Sequence, residues 1–259
     1  MYYDCHSHLD DINRYGGWSA GELLEKMDSC AIERAAISSV RGIYADNPDD
    51  LARANDAVNK AVCRYPDRLD GAACVNPKFP EASLREMETH LAQGPFVMVG
   101  EMCQFLQGWD TTEPGLEPII GFAQTLNVPL LVHSSTETHA GEILDLCLDY
   151  PEAKFIMAHM GGMNYLYENI PRLIANRRDN LWIDISGACA FFADYLERLI
   201  KSLGADRIVF GVDMPLIEPA PLVTRIQNLP LSREEKEKIA SGNLSGLVSG
   251  KRDNGAIDK

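Results

Sequence analysis

No run of apolar residues in this 259-residue chain approaches the roughly 20 that a membrane-spanning helix needs, so no membrane partner is expected. Positive charge is scarce: 24 Lys and Arg stand against 38 Asp and Glu, for a formal net charge of −14. An acidic surface repels phosphate backbones, which argues against a nucleic-acid partner. The seven cysteines (Cys5, Cys30, Cys63, Cys74, Cys103, Cys147 and Cys189) include no CxxC pair. Their odd number and scatter argue against a disulfide framework or a zinc ribbon and leave reduced, mostly buried thiols as the expectation. No Gly-rich phosphate loop follows the first apolar run, which weakens an open, doubly wound sheet. There is no long linker and no low-complexity segment. No hydrophobic leader fits ahead of the first motif, so a cytoplasmic protein is expected.

What is present is an alternation. Hydrophobic residues make up 46% and charged residues 24% of the chain, ordinary values for a globular protein with a substantial core. Eight short apolar runs (YYDCHSH, RAAISSV, RLDGAACVNP, FVMVGEM, VPLLVHSS, AKFIMAHMGG, LWIDISG and RIVFGVDMP) are each followed by a longer stretch with helical patterning. Short continuous apolar runs suit parallel strands covered by helices. Eight such units at this length predict an α/β fold, a single-domain (β/α)8 TIM barrel over residues 1–249, with 250–259 as a frayed polar tail.

Polar residues interrupt these runs at their ends. The chain begins MYYDCHSHLD, with His6 and His8 at alternate positions of the first strand and Asp4 on the same parity. Side chains at i and i+2 point to one face, so both imidazoles can lean onto one ion, and Asp4 can orient a ligand histidine from behind. Glu101 interrupts VMVGEM, and His133, His159 and Asp213 end the apolar stretches of three later strands. Each alone reads as a packed, capping or ion-paired residue. Together they place costly polar groups after apolar runs at the one rim where a barrel carries its catalytic residues, and the set is read as a metal site. His90 falls among charged neighbours and is expected in solvent. His139, near the rim, reads as a capping or exposed residue.

The pieces DCHSH, VGEM, LLVHSS, FIMAHMGG, WIDISG and FGVDMP, with a late KIASGN, resemble the amidohydrolase superfamily, above all its amidohydrolase-2-like branch of decarboxylases and lactonases; the VGEM glutamate also resembles the TatD-like branch. The resemblance implies that His6, His8 and Asp213 hold a first metal. It implies that His133 joins that ion or, with His159, holds a second one bridged by Glu101. In members with one metal, the residue matching His159 activates water or polarises the substrate.

Imidazoles with carboxylates suit a divalent ion, Zn2+ first, with Mn2+, Fe2+ or Co2+ as alternatives, in one or two copies. A metal-bound water would be activated, with Asp213 moving its proton and His159 stabilising the oxyanion. The primary expectation is therefore a metal-dependent hydrolase acting on an amide, lactone or ester of a small molecule. A non-oxidative decarboxylase of an aromatic or dienoic acid, with Arg41 gripping the carboxylate, is the alternative, and a TatD-like nuclease a third reading. Gln104, Trp109, Ser134 and Tyr165 lie near rim loops as lesser substrate-contact candidates. A homo-oligomer stays open.

Overall fold

The computed structural model describes residues 1–162 and 166–254. All eight anticipated strands form: β1 (Tyr2–Leu9), β2 (Ile32–Ser39), β3 (Leu69–Ala73), β4 (Phe96–Met102), β5 (Pro129–Val132), β6 (Lys154–Met157), β7 (Leu181–Asp184) and β8 (Ile208–Val209). They pair in parallel, in sequence order, into one eight-stranded sheet with helices in between. Local chemistry explains the helix starts. Ser19 and Glu22 form a reciprocal capping box before the helix Ala20–Ser29, and Asn47 with Pro48 opens Pro48–Arg64. No helix among the described residues is long and apolar enough to cross a membrane.

The barrel closes where β1 meets the chain after β8. Cys5 N donates to Phe210 O at 2.9 Å, Asp213 N to His6 O at 2.6 Å and His8 N to Met214 O at 2.7 Å. β1 is bulged along the way. From Asp4 to Ser7 it advances three residues while β2 advances two, from Ala35 to Ile37. An extra residue in one strand shifts which side chains share a face. Asp4 is thereby separated from the face carrying His6 and His8.

Inside the sheet, Tyr3, Cys5, Ala36, Ala72, Met98, Leu131, Ile156 and Val209 form one cluster, joined by Leu244, Leu247 and Val248 of the last helix, Asn243–Asn254. The final helix packs against β1, β4 and β8, which ties it to this cluster. A larger apolar layer fills the space between sheet and helices. The last helix also revises the tail: residues 250–254 are helical rather than frayed, and Lys251 Nζ donates to Leu91 O.

His90 departs from expectation too. It lies in a π-helical turn, Glu88–Ala92, is 6% exposed, and stacks on Phe96 with ring centroids 4.9 Å apart. The wider turn and the stacking on Phe96 turn the ring inward despite the charged neighbours from which a solvent-facing position was expected.

Candidate metal centre at the barrel rim

Glu101 stands at the middle of the polar set. Its Oε2 is 3.3 Å from His6 Nε2 and 3.6 Å from His8 Nε2, and its Oε1 is 2.7 Å from His133 Nδ1 and 3.5 Å from His159 Nε2. Asp213 Oδ1 lies 3.2 Å from His8 Nε2 and 3.8 Å from His6 Nε2. The residues that the sequence places at five separate strand ends thus converge. Two donor triads result, His6–Glu101–His159 and His6–His8–Asp213, each with its ligand atoms within 4.8 Å of one another.

The donors fit a divalent cation. Nε2 of His6 and His8 is buried and has no hydrogen-bond partner among the described residues, although carboxylate oxygens stand nearby, whereas His133 faces Glu101 through Nδ1. Two donors each about 2.1 Å from one ion are separated by roughly 3.0–3.4 Å in octahedral or tetrahedral geometry. The His6–Glu101 and His8–Asp213 spacings match that separation better than they match aligned hydrogen bonds.

Three of the four rings are held from behind. His6 Nδ1 meets Asp184 Oδ2 at 2.6 Å, His8 Nδ1 meets Ser38 Oγ at 2.7 Å and His159 Nδ1 meets Ser186 Oγ at 2.9 Å. Holding Nδ1 turns the other nitrogen toward the centre. Asp184 also accepts from His159 N and from the backbone and hydroxyl of Ser186. Asp184 was not among the expected site residues; its only signal in the sequence is an acid ending the apolar run of WIDISG.

Two glycines make room for this arrangement. Gly100 has φ +126°, and a Cβ there would lie 2.5 Å from Leu131 O. A Cβ on Gly211 would meet Asp184 Cγ, Cys5 Sγ and His6 Cβ, all at 3.1 Å. His159, Met160 and Asp213 have φ of +55°, +56° and +72°. Left-handed non-glycine residues persist where their surroundings over-determine them, commonly at functional sites.

Burial would push the Glu101 carboxyl up, but the imidazoles, His6 and His133 foremost, hold it well below the carboxylate range. Burial works against a charged His6 and His159. Glu101 and Asp184 outweigh it at His6, and Glu101 and Asp213 at His159, so both imidazoles lie above their ordinary pKa.

Asp4 reaches His6 through the backbone rather than the ring. Its Oδ1 accepts His6 N at 2.9 Å and Val212 N at 3.0 Å, and its Oδ2 accepts Ser7 Oγ at 2.5 Å. It fills the gap that the bulge leaves in the closing seam, and burial pushes its carboxyl up to about 7. Asp4→Asn keeps the Oδ1 acceptor and is expected to cost little. Asp4→Ala is expected to cost about 1–3 kcal/mol for each of the two buried N–H groups left unsatisfied. Urea unfolding of the two variants checks this; equal midpoints would remove the seam role.

Arg41 is already engaged. Its Nε donates to Asp11 Oδ2 at 2.9 Å and its guanidinium lies 3.3 Å from Asp50 Oδ1. Trp109 is buried, with Nε1 donating to Gln107 Oε1 at 2.8 Å, and Gln104 and Ser134 are buried beside the rim. Tyr165 lies outside the described residues. His139 is partly buried, and its Nδ1 accepts the Ser135 backbone N–H at 3.4 Å at the start of the helix Glu137–Asp149, a capping contact. Thr136 Oγ1 accepts its backbone N–H, and its ring stacks on Phe105 with centroids 5.9 Å apart.

A family model described as Amidohydrolase matches residues 3–243. Gamma-resorcylate decarboxylase from Polaromonas sp. (strain JS666 / ATCC BAA-500) is 25% identical across 75% of this chain and 74% of its own. Among solved structures, dihydroxybenzoic acid decarboxylase from Polaromonas sp. JS666, with bound manganese and the inhibitor 2-nitroresorcinol, superposes with a TM-score of 0.81 at 19% identity, covering 99% of both chains. 5-Carboxyvanillate decarboxylase from Novosphingobium aromaticivorans DSM 12444, complexed with manganese and 4-hydroxy-3-methoxy-5-nitrobenzoic acid, gives 0.78 at 18% identity, covering 96% of each. At these identities the two structures attest to the shared fold.

These relatives correct the expectation of hydrolysis: the curated relative is named a decarboxylase. The physical reason for the error is that one donor set serves both reactions. Such a set can hold an ion with an acid beside it in either case, and what the rim loops admit decides whether the proton goes to a leaving group or to a ring carbon. The zinc expectation gains no support either, since manganese is the ion in both superposed structures.

Proposed function

The chain belongs to the amidohydrolase family, and on that premise we propose that it is a divalent-metal-dependent, non-oxidative decarboxylase of a hydroxylated aromatic carboxylic acid. The observation that carries the reading is the likeness, across three quarters of the chain, to a gamma-resorcylate decarboxylase. The buried, unpartnered Nε2 atoms of His6 and His8 beside Glu101 and Asp213 support a metal site of the kind it requires.

His6, His8, Glu101 and Asp213 would hold the ion, with His133 and His159 across the Glu101 carboxylate. Mn2+ is the favoured ion, since carboxylate-rich donor sets suit it. When bound, the ion would supply a positive charge that draws in the anionic substrate and orients it.

The chain's own residues do the rest. Asp213 has a side chain 10% exposed, against 5% for Glu101 and none for Asp184, so it faces the mouth. It delivers a proton to the ring carbon bearing the carboxylate. The bond from that carbon to the carboxylate then breaks, its electron pair returns to the ring, carbon dioxide leaves, and Asp213 is reprotonated from solvent. Glu101, held ionised by its imidazole neighbours, does not compete as the acid. His159, fixed by Ser186, presents Nε2 to the substrate's oxygen atoms.

The test is incubation of manganese-loaded protein with 2,6-dihydroxybenzoate in D2O. Carbon dioxide should be released, and the resorcinol formed should carry one deuterium at the carbon that held the carboxylate. Chelator should abolish the reaction and Mn2+ restore it. No carbon dioxide from this acid or from other hydroxybenzoates would sink the proposal.

A further inference from the structure

Phe105 sits on the short helical turn Gln104–Gln107 that follows β4, four residues after Glu101. It is 54% exposed, a high value for a phenylalanine beside a cluster of buried polar groups. Its ring is nonetheless held in place. The centroid lies 5.2 Å from that of His133 with planes at 54°, and 5.9 Å from that of His139 with planes only 11° apart. His139 is anchored in turn by its place in the first turn of the helix Glu137–Asp149 and by a 3.2 Å contact from Nδ1 to Ser135 Oγ.

A ring backed by one parallel imidazole, touching a site histidine, and open over much of its surface is a platform. Aromatic pairs favour offset-stacked or tilted contacts with centroids about 4.5–7 Å apart, and the two histidines already occupy such positions around Phe105. A molecule that reaches the donors around Glu101 lies close to His133, whose Nδ1 is 2.7 Å from Glu101 Oε1, and so close to the ring that touches His133. A planar ring would cover apolar surface there that solvent now meets, and an aliphatic acid of the same charge would leave much of it exposed.

We infer that Phe105, backed by His139, is the wall on which the substrate's aromatic ring lies, and that it makes the site selective for planar aromatic acids. The inference rests on the decarboxylase reading and adds to it a residue that determines the substrate class. Phe105 acts on binding rather than on proton transfer, so its contribution falls on KM. Phe105 makes ring contacts with His133 and His139 and is in neither donor triad, so removing its ring leaves His6, His8, Glu101, His159 and Asp213 in place.

Manganese-loaded wild type, Phe105→Ala, Phe105→Leu and Phe105→Tyr are compared for melting temperature, metal content, kcat and KM on 2,6-dihydroxybenzoate, and the Kd of 2-nitroresorcinol. Phe105→Ala should raise KM and Kd by about 3- to 10-fold, the range that aromatic stacking contributes, with kcat within about 2-fold and metal content unchanged. Phe105→Tyr should restore wild-type values, and Phe105→Leu should fall short of them. If wild type releases carbon dioxide while Phe105→Ala binds both compounds as tightly, or Phe105→Leu matches wild type, the wall is refuted and the decarboxylase reading stands. If wild type releases no carbon dioxide from any hydroxybenzoate, the reading falls and the inference with it.

Discussion

Asp213→Asn is expected to lower kcat for carbon dioxide release by about 10²- to 10⁴-fold, the usual contribution of a positioned proton donor, with bound metal retained. The substitution suits the position in three ways. Asparagine tolerates the left-handed backbone that Asp213 adopts, at φ +72°. The backbone bond from residue 213 N to His6 O does not involve the side chain. An amide oxygen can also stand where Oδ1 faces His8 and His6 at 3.2 and 3.8 Å. What the amide lacks is an acidic proton. Kinetics and elemental analysis on the same sample separate the roles: lost turnover with metal retained supports the proton carrier, loss of both makes Asp213 a ligand first, and full turnover removes it from the mechanism.

His6→Ala is expected to abolish metal binding. His6 belongs to both donor triads, so one truncation breaks both, whereas His8→Ala leaves His6–Glu101–His159 intact and should weaken binding without eliminating it. The truncation also takes from Asp184 its 2.6 Å partner and from Glu101 a neighbouring positive charge, leaving buried carboxylates uncompensated. Removing one member of a buried charge pair costs about 3–5 kcal/mol, which in a chain of this size corresponds to a Tm lower by on the order of 10 °C. Elemental analysis and thermal melts of both variants test this; a His6→Ala protein that still carries its ion would overturn the proposed ligand set.

Protons compete with the ion for these histidines. In metal-free protein the His6 pKa is raised, so its contribution to stability is complete below its ordinary value and is lost as pH rises through the raised one. The ion needs the unprotonated ring, so apparent metal affinity should fall as pH is lowered into that window.

The late-strand positions of His133, His159 and Asp213 were legible because parallel strands in a closed barrel share one rim, so each polar residue ending an apolar run announces its own place. Asp4 was placed on the same face as His6 because alternation is the only rule a lone strand displays; the bulge that breaks it exists only against β2. Arg41 looked free until Asp11 and Asp50 were brought to it.

The sequence by itself determined the eight strand–helix units, the rim and the polar residues that reach it, since periodicity and strand ends are local properties. Only the tertiary structure decided that Asp184 holds His6 from 178 positions away, that Asp4 seals the seam with Val212 from 208 positions away, and that Phe105 stands beside His133. Those relations depend on register and packing between distant segments, and no local pattern encodes them.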